Sequence, residues 1–192
     1  MSDAELRELW RGVSSPEEEG AFLARALRRG LLSPERLELA AYCGDRAAQE
    51  ALGTTERTDV TDLVGFMVGL RDWGPPAWLR ASWPCLRAVE AEERILGYAA
   101  VDLRAFAQGA LDVLRGEEID YVAGRGLPNV VPIREVGFAT YFARRLQQRL
   151  KRRIGRPRPE SLLVEEEIRR ELANWALGRG DALGDALRAA AE

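Results

Sequence analysis

The side chains that most often carry covalent or metal chemistry are scarce in this chain. Its 192 residues include two cysteines, Cys43 and Cys85, and no histidine. Catalytic arrangements that pair serine or cysteine with histidine are therefore excluded. A structural zinc site within one chain is also excluded, because it needs about four close nitrogen or sulfur ligands. In a reducing compartment the two thiols are expected to be small buried apolar groups.

Lysine and carboxylate chemistry has equally little support. Lys151, the one lysine, lies in the most cationic segment, where a solvated side chain is expected. The acidic runs at 17–19 and 165–167 match the first turn or the exposed face of a helix. The histidines that accompany helical di-metal sites are missing. We therefore expect no catalytic residue, no metal site and no cofactor, and hence no enzyme.

A surface loop is predicted around residues 120–132, with a minor β-hairpin as the alternative. The segment contains Gly124 and Gly126 but lacks the Gly-Lys-Ser/Thr sequence of a phosphate-binding loop. Its prolines favour a loop over paired strands. Because loops often carry binding residues, Arg125 and Asn129 are candidate ligand contacts.

Three tryptophans recur at intervals of five residues: Trp73, Trp78 and Trp83. This spacing does not follow one face of a helix, and prolines interrupt the segment. One interpretation is that the three rings fill the junction between two groups of helices. The functional interpretation is an aromatic groove that binds a partner peptide, because tryptophan is enriched where binding energy concentrates.

The most cationic stretch is RRLQQRLKRRIGRPRP, residues 144–159, in which eight of sixteen residues are cations. On a helical wheel it is amphipathic, with Arg145, Arg149 and Arg152 along one flank. Arg156 follows in the Gly-Arg-Pro-Arg-Pro tail. This flank could bind the phosphates of a nucleic acid or an acidic protein partner.

The tail IGRPRP resembles the Gly-Arg-Pro core of an AT-hook, a short motif that binds the DNA minor groove. An AT-hook has arginine immediately before the glycine, whereas this chain has Ile154, so one of the two groove arginines is missing.

A third interpretation of the cationic stretch is that it pairs with acidic residues of the same chain. Gly155 and the prolines end the helix, and a helical hairpin would then place Arg149 and Arg152 near Glu165–Glu167.

The elements that position these residues are predicted to be helices. Residues 15–53 contain three sets of a serine or aspartate N-cap followed by a glycine stop, with proline at the first helical position in two of them. Arg28–Arg29 complement the dipole at the end of the first helix. Apolar periodicity predicts the later helices: 59–74, a short one at 76–82, one or two between 84 and 116 with a kink near Gly97, 134–154, 160–178 and 181–191.

The predicted fold is all-α, either a multi-helix bundle or a short helical solenoid. The first 53 residues are similar in pattern to the helical hairpins of solenoid proteins. The polar stretch 54–62 is the predicted boundary between two domains. These are a small N-terminal helical unit, residues 1–53, and a main helical bundle, residues 59–192.

Composition sets the class of function that we expect. A net charge of −3 and a pI near 5.4 oppose a dedicated nucleic-acid domain. No apolar run approaches the roughly 18 residues of a membrane span, and no apolar secretory segment is visible, so a cytoplasmic protein is expected. The predicted function is a non-catalytic protein–protein interaction or regulatory adaptor domain with another protein as partner. The alternative is a DNA- or RNA-binding regulator that uses the basic helix 144–158.

Overall fold

The computed structural model describes residues 15–54, 63–95, 103–115 and 159–192. Within these ranges the chain forms eight α-helices, one 3₁₀ helix and no strand, so the predicted all-α fold is confirmed for them. The α-helices are α1 Pro16–Arg28, α2 Pro34–Tyr42, α3 Arg46–Leu52, α4 Leu63–Gly69, α5 Pro75–Ile95, α6 Leu103–Leu114, α7 Pro159–Ala176 and α8 Ala182–Ala191. The 3₁₀ helix Leu70–Trp73 directly follows α4.

The predicted starts of the first three helices are confirmed by side-chain caps. The Ser15 hydroxyl accepts a hydrogen bond from the Glu18 N–H at 3.2 Å, and the Ser33 hydroxyl accepts one from the Arg36 N–H at 3.3 Å. The Asp45 carboxylate accepts from the Ala48 N–H at 2.9 Å. Each cap satisfies an N–H that has no partner inside its own helix, which explains why these short helices begin where they do.

The later helices follow the periodicity with two differences. The described part of the predicted helix 59–74 is α4 followed by the 3₁₀ helix, and not one continuous α-helix. The predicted helices 160–178 and 181–191 correspond to α7 and α8. The predicted break between 82 and 84 is absent, because α5 runs for 21 residues with Pro84 in its interior. Trp78, Leu79 and Leu86 are buried on both sides of this proline, and their burial offsets the lost N–H of residue 84. The predicted kink near Gly97, the 120–132 loop and the 134–154 helix lie outside the described residues.

Replacement of Pro84 by alanine is expected to raise the free energy of unfolding by about 1–2 kcal/mol. The new N–H would donate to the carbonyl four residues earlier, as it does at an ordinary interior position of an α-helix. Urea denaturation measures the change. The matched control is Pro76→Ala in the first turn of α5, where no helical hydrogen bond is missing and a loss below about 1 kcal/mol is expected. A Pro84→Ala variant that is less stable than wild type would contradict this account.

The described residues form two compact units. The first unit consists of 15–54 together with 169–182, and the second unit consists of 63–95, 103–115, 159–168 and 183–192. The first unit is thus built from two segments that are remote in sequence. The domain boundaries predicted from the sequence, 1–53 and 59–192, stay a prediction.

Each unit has its own apolar interior. In the first unit α1 and α3 approach closely, since a Cβ at the buried Gly20 would lie 3.2 Å from the Ala47 carbonyl oxygen. The large side chains that are fully buried in the first unit are Leu23, Leu37, Leu172 and Leu177. Those fully buried in the second unit are Phe66, Met67, Leu70, Trp78, Leu79, Leu86 and Ile168.

A helix that crosses a lipid bilayer must be long and predominantly apolar. Across the described ranges, no helix combines the length and apolar character that crossing a membrane requires.

Candidate functional site: an exposed arginine cluster

Several site residues predicted from the sequence lie outside the described residues. They are the loop candidates Arg125 and Asn129 and the basic-flank candidates Arg145, Arg149, Arg152 and Arg156. Their roles in binding stay predictions, and so does the pairing of the basic flank with Glu165–Glu167. Of that acidic run, Glu166 and Glu167 are exposed and Glu165 is half-buried.

The three tryptophans occupy different environments in the second unit. Trp78 is 2% exposed and Trp83 is 3% exposed, whereas Trp73 is half-buried at the end of the 3₁₀ helix. The Trp83 ring stacks on Phe106 with a centroid distance of 6.2 Å and an interplanar angle of 12°. Among the described residues, the buried Trp83 indole N–H has no hydrogen-bond partner. The groove that these rings would form stays a prediction, and Trp73 is the member with an accessible side chain.

Both cysteines are buried free thiols, as predicted. Burial raises the pKa of Cys43 to about 12 and the pKa of Cys85 to about 12. Both therefore remain protonated near neutral pH, and a protonated thiol is a poor nucleophile. In the ranges that the structure describes, no group of three or more histidine, cysteine, aspartate or glutamate side chains is arranged to hold a metal ion.

The described part of the first unit contains eight arginines, and two of them join α2 to α7. Arg36, near the start of α2, donates to the carbonyls of Trp175 and Ala176 at 3.0 and 2.6 Å. Arg169, in α7, donates to the carbonyl of Tyr42 at 3.2 Å. Each guanidinium thus donates to carbonyl oxygens at the C-terminal end of the other helix. The last carbonyls of an α-helix accept no hydrogen bond from an N–H four residues later in the same helix.

Arg179 connects the N-terminal ends of α1 and α3. Its guanidinium donates to the Asp45 carboxylate at 2.7 Å and also pairs with Glu19. The other carboxylate oxygen of Asp45 is the N-cap of α3. Burial raises the pKa of Glu19 above its ordinary value, although Arg179 acts in the opposite direction. The loss of hydration at Glu19 therefore outweighs the attraction of the cation.

Two further arginines of the first unit have local acidic partners. Arg46 lies 3.9 Å from Glu50, and Arg170 lies 3.5 Å from Glu171. Counted with Arg36, Arg169 and Arg179, five of the eight arginines bond to an acidic side chain or to another helix of the unit.

The remaining three, Arg25, Arg28 and Arg29, form what we call the arginine cluster. All three are exposed, and none forms an ion pair with a described acidic residue. Their spacing of i, i+3 and i+4 places them on one face at the end of α1. Arg25 also donates through Nε to the carbonyl of Ala21 at 3.3 Å, which orients its side chain along the helix.

Capping of α1 does not require these cations, because the backbone closes the helix. The N–H of Arg29 donates to the Arg25 carbonyl, and the N–H of Gly30 donates to the Leu27 carbonyl. The N–H of Leu31 reaches back to the carbonyl of Ala26. Gly30 adopts a φ of +67°, which this turn demands and which glycine adopts without strain. The three guanidinium groups are therefore not needed to close the helix, and no described acidic side chain pairs with them.

The sequence alone assigned Arg28–Arg29 only to the end of a helix. The sequence nevertheless indicates that these arginines lack helical ion-pair partners. No acidic residue occurs three or four positions before or after Arg25, Arg28 or Arg29. Local ion pairing was thereby already excluded. Whether a remote carboxylate would reach the cluster, as Asp45 reaches Arg179, depends on the tertiary structure.

Comparison of the chain with known proteins found no matching family model, no similar curated protein and no similar solved structure.

Proposed function

We propose that this chain is a non-catalytic protein–protein interaction or regulatory adaptor domain whose contact surface includes the arginine cluster. The observation that supports this proposal is that the arginines of the first unit differ in their bonding partners. Five bond to an acidic side chain or to another helix of the unit, whereas Arg25, Arg28 and Arg29 are exposed and have no acidic partner among the described residues.

The helix that carries the cluster is held in a defined position, which supports a binding role. Leu23 and Ala26 on the opposite face of α1 are buried. The start of the helix is held by the Ser15 cap and by the pair between Glu19 and Arg179. A surface that is ordered before binding loses less conformational freedom when a partner docks.

A catalytic role has less support from the residues present. The chain has no histidine, and burial holds the pKa of both thiols at about 12. The ion-paired carboxylates of Glu19 and Asp45 hold helices together. A cytoplasmic location accords with two free thiols, since disulfides are rare in reducing compartments.

The alternative function, a DNA- or RNA-binding regulator, depends on the basic helix 144–158. Its arginines lie outside the described residues, so the two functions are separated by experiment. Glutamate at Arg145, Arg149 and Arg152 is expected to abolish binding to heparin or DNA at about 150 mM salt if this alternative holds.

The test of the proposed function is co-purification after cross-linking in native cells, with nuclease treatment before capture. Wild type is compared with a cluster-reversal variant, in which all three arginines of the cluster are glutamate. The control reverses three exposed arginines of the second unit and changes the net charge equally: Arg71→Glu, Arg87→Glu and Arg115→Glu.

We expect a specific protein partner with wild type and with the control, and at least a tenfold weaker recovery with the cluster-reversal variant, which corresponds to about 1.4 kcal/mol. Circular dichroism checks that the variant is folded. Recovery that is equal for the two variants would contradict the contact surface. Recovery that disappears on nuclease treatment would favour the nucleic-acid alternative.

A further inference from the structure

The dimensions of the arginine cluster limit the ligand that it can bind. Side chains spaced i, i+3 and i+4 on a helix lie about 5–6 Å apart at Cβ, so the three guanidinium groups cover about one helical turn. Each guanidinium can bind a carboxylate through two parallel N–H···O bonds. A ligand with two or three neighbouring carboxylates therefore matches the cluster in size and in charge.

The surroundings of the cluster oppose a long polyanion. Glu17 and Glu18 are exposed at the other end of α1. Arg25 lies eight positions after Glu17, or about 12 Å along the helix. Double-stranded DNA carries one charge per about 1.7 Å, so a duplex laid along α1 would place phosphates against these carboxylates. A short acidic segment contacts the cations and ends before it reaches the acids.

The turn beside the cluster is exposed at Gly30. A Cβ placed on Gly30 would meet no heavy atom within 4 Å, so the turn that follows the cluster is open. The three cations also repel one another, because Arg25 lies at like-charge spacing from both Arg28 and Arg29. A bound acidic segment relieves this repulsion, which no described residue of the first unit does.

We infer that the arginine cluster of the first unit binds a short acidic segment, rich in aspartate or glutamate, of a partner protein. This inference rests on the proposed function and names the chemistry of the partner. The contacts are exposed, so binding is weak, depends on salt and is fast to reverse. Neighbouring carboxylates set the specificity, and no apolar anchor is needed.

Fluorescence anisotropy of the full chain with fluorescein-labelled hexaglutamate tests the inference. The cluster-neutral variant, with glutamine at all three positions, removes the charge and keeps a good helix former. We expect it to bind the peptide at least about tenfold more weakly than wild type. The control with glutamine at Arg71, Arg87 and Arg115 is expected to stay within about twofold. Raising the salt from about 50 to about 200 mM is expected to weaken wild-type binding several-fold.

A labelled duplex of about 20 base pairs is measured in parallel. Weaker duplex than peptide binding supports the inference. Tighter duplex binding that is lost in the cluster-neutral variant would overturn it in favour of nucleic acid. Peptide binding that is absent, or equal in the cluster-neutral variant and wild type, would also overturn it. If the cellular protein partner is still lost on cluster reversal while hexaglutamate does not bind, the proposed function stands and the acidic class of partner is wrong.

Discussion

Replacement of Trp78 by alanine is expected to lower the free energy of unfolding by about 3–5 kcal/mol, the largest effect that we predict for one substitution. The Trp78 side chain is 2% exposed and is the largest fully buried side chain of the described residues. Its removal forfeits the transfer of a large aromatic surface from water and leaves a cavity that the neighbours fill only in part. Because small domains are stable by only about 5–15 kcal/mol, this loss is a large fraction of the total stability.

Urea denaturation monitored by circular dichroism measures the loss. The matched control is Trp73→Ala, which removes the same side chain from a half-buried position and is expected to cost less than half as much. Similar losses for the two variants would show that Trp78 does not contribute to the interior as its burial indicates. A Trp78→Ala variant that keeps wild-type stability would contradict a structural role for this ring and favour its role in the predicted binding groove.

Replacement of Arg179 by methionine is expected to lower the free energy of unfolding by about 2–3 kcal/mol. Methionine keeps an apolar stem of similar length, so the loss of stability measures the contribution of the guanidinium group. The Asp45 and Glu19 carboxylates are 13% and 23% exposed at the side chain, so removal of their shared cation leaves two partly desolvated charges. Breaking a fully buried pair costs about 3–5 kcal/mol, and the partial exposure here places the expected loss below that range.

The loss is expected to depend on pH through Glu19. Because the folded state raises the pKa of Glu19, this group favours folding at acidic pH and loses that contribution as the pH rises through its pKa. Arg179 opposes the shift, so its removal raises the pKa of Glu19 further. The stability difference between wild type and variant is therefore greatest near neutral pH and shrinks towards pH ~4.

Denaturation at several pH values measures both parts of this prediction. The control is Arg170→Met, because the Arg170 side chain is 69% exposed and pairs with Glu171 only at 3.5 Å. Exposed pairs contribute about 0–1 kcal/mol, and a small loss is expected. A loss from Arg179→Met that matches the control, or one that grows as the pH falls, would contradict the structural role of this ion pair.

Short-range signals explain why the helix starts of the first unit could be predicted from the sequence. Ser15, Ser33 and Asp45 cap helices through N–H groups only three residues away, so short-range chemistry sets where each helix starts. Pro84 shows the limit of such rules. Its missing N–H predicts a break, but the buried side chains before and after it keep α5 continuous.

Residue type and spacing could not show which of the three tryptophans are buried. They also could not show which of the eight described arginines of the first unit have acidic partners. Trp78 and Trp83 are buried while Trp73 is half-buried, although the three residues recur at the same interval. Arg179 pairs with two carboxylates more than 130 positions away in the sequence, whereas Arg28 has no described acidic partner. Burial and long-range pairing depend on which segments fold together, and helical periodicity does not encode that choice.

The sequence by itself determined the helical class, the caps and the absence of histidine chemistry, because these depend on composition and on neighbours within one or two turns. The tertiary structure alone decided that 169–182 joins 15–54 in one unit. That association engages Arg36, Arg169 and Arg179 with carbonyls and carboxylates of remote segments. Arg25, Arg28 and Arg29 have no described acidic partner, because the segments that fold together bring no described acidic side chain within ion-pair distance of that end of α1.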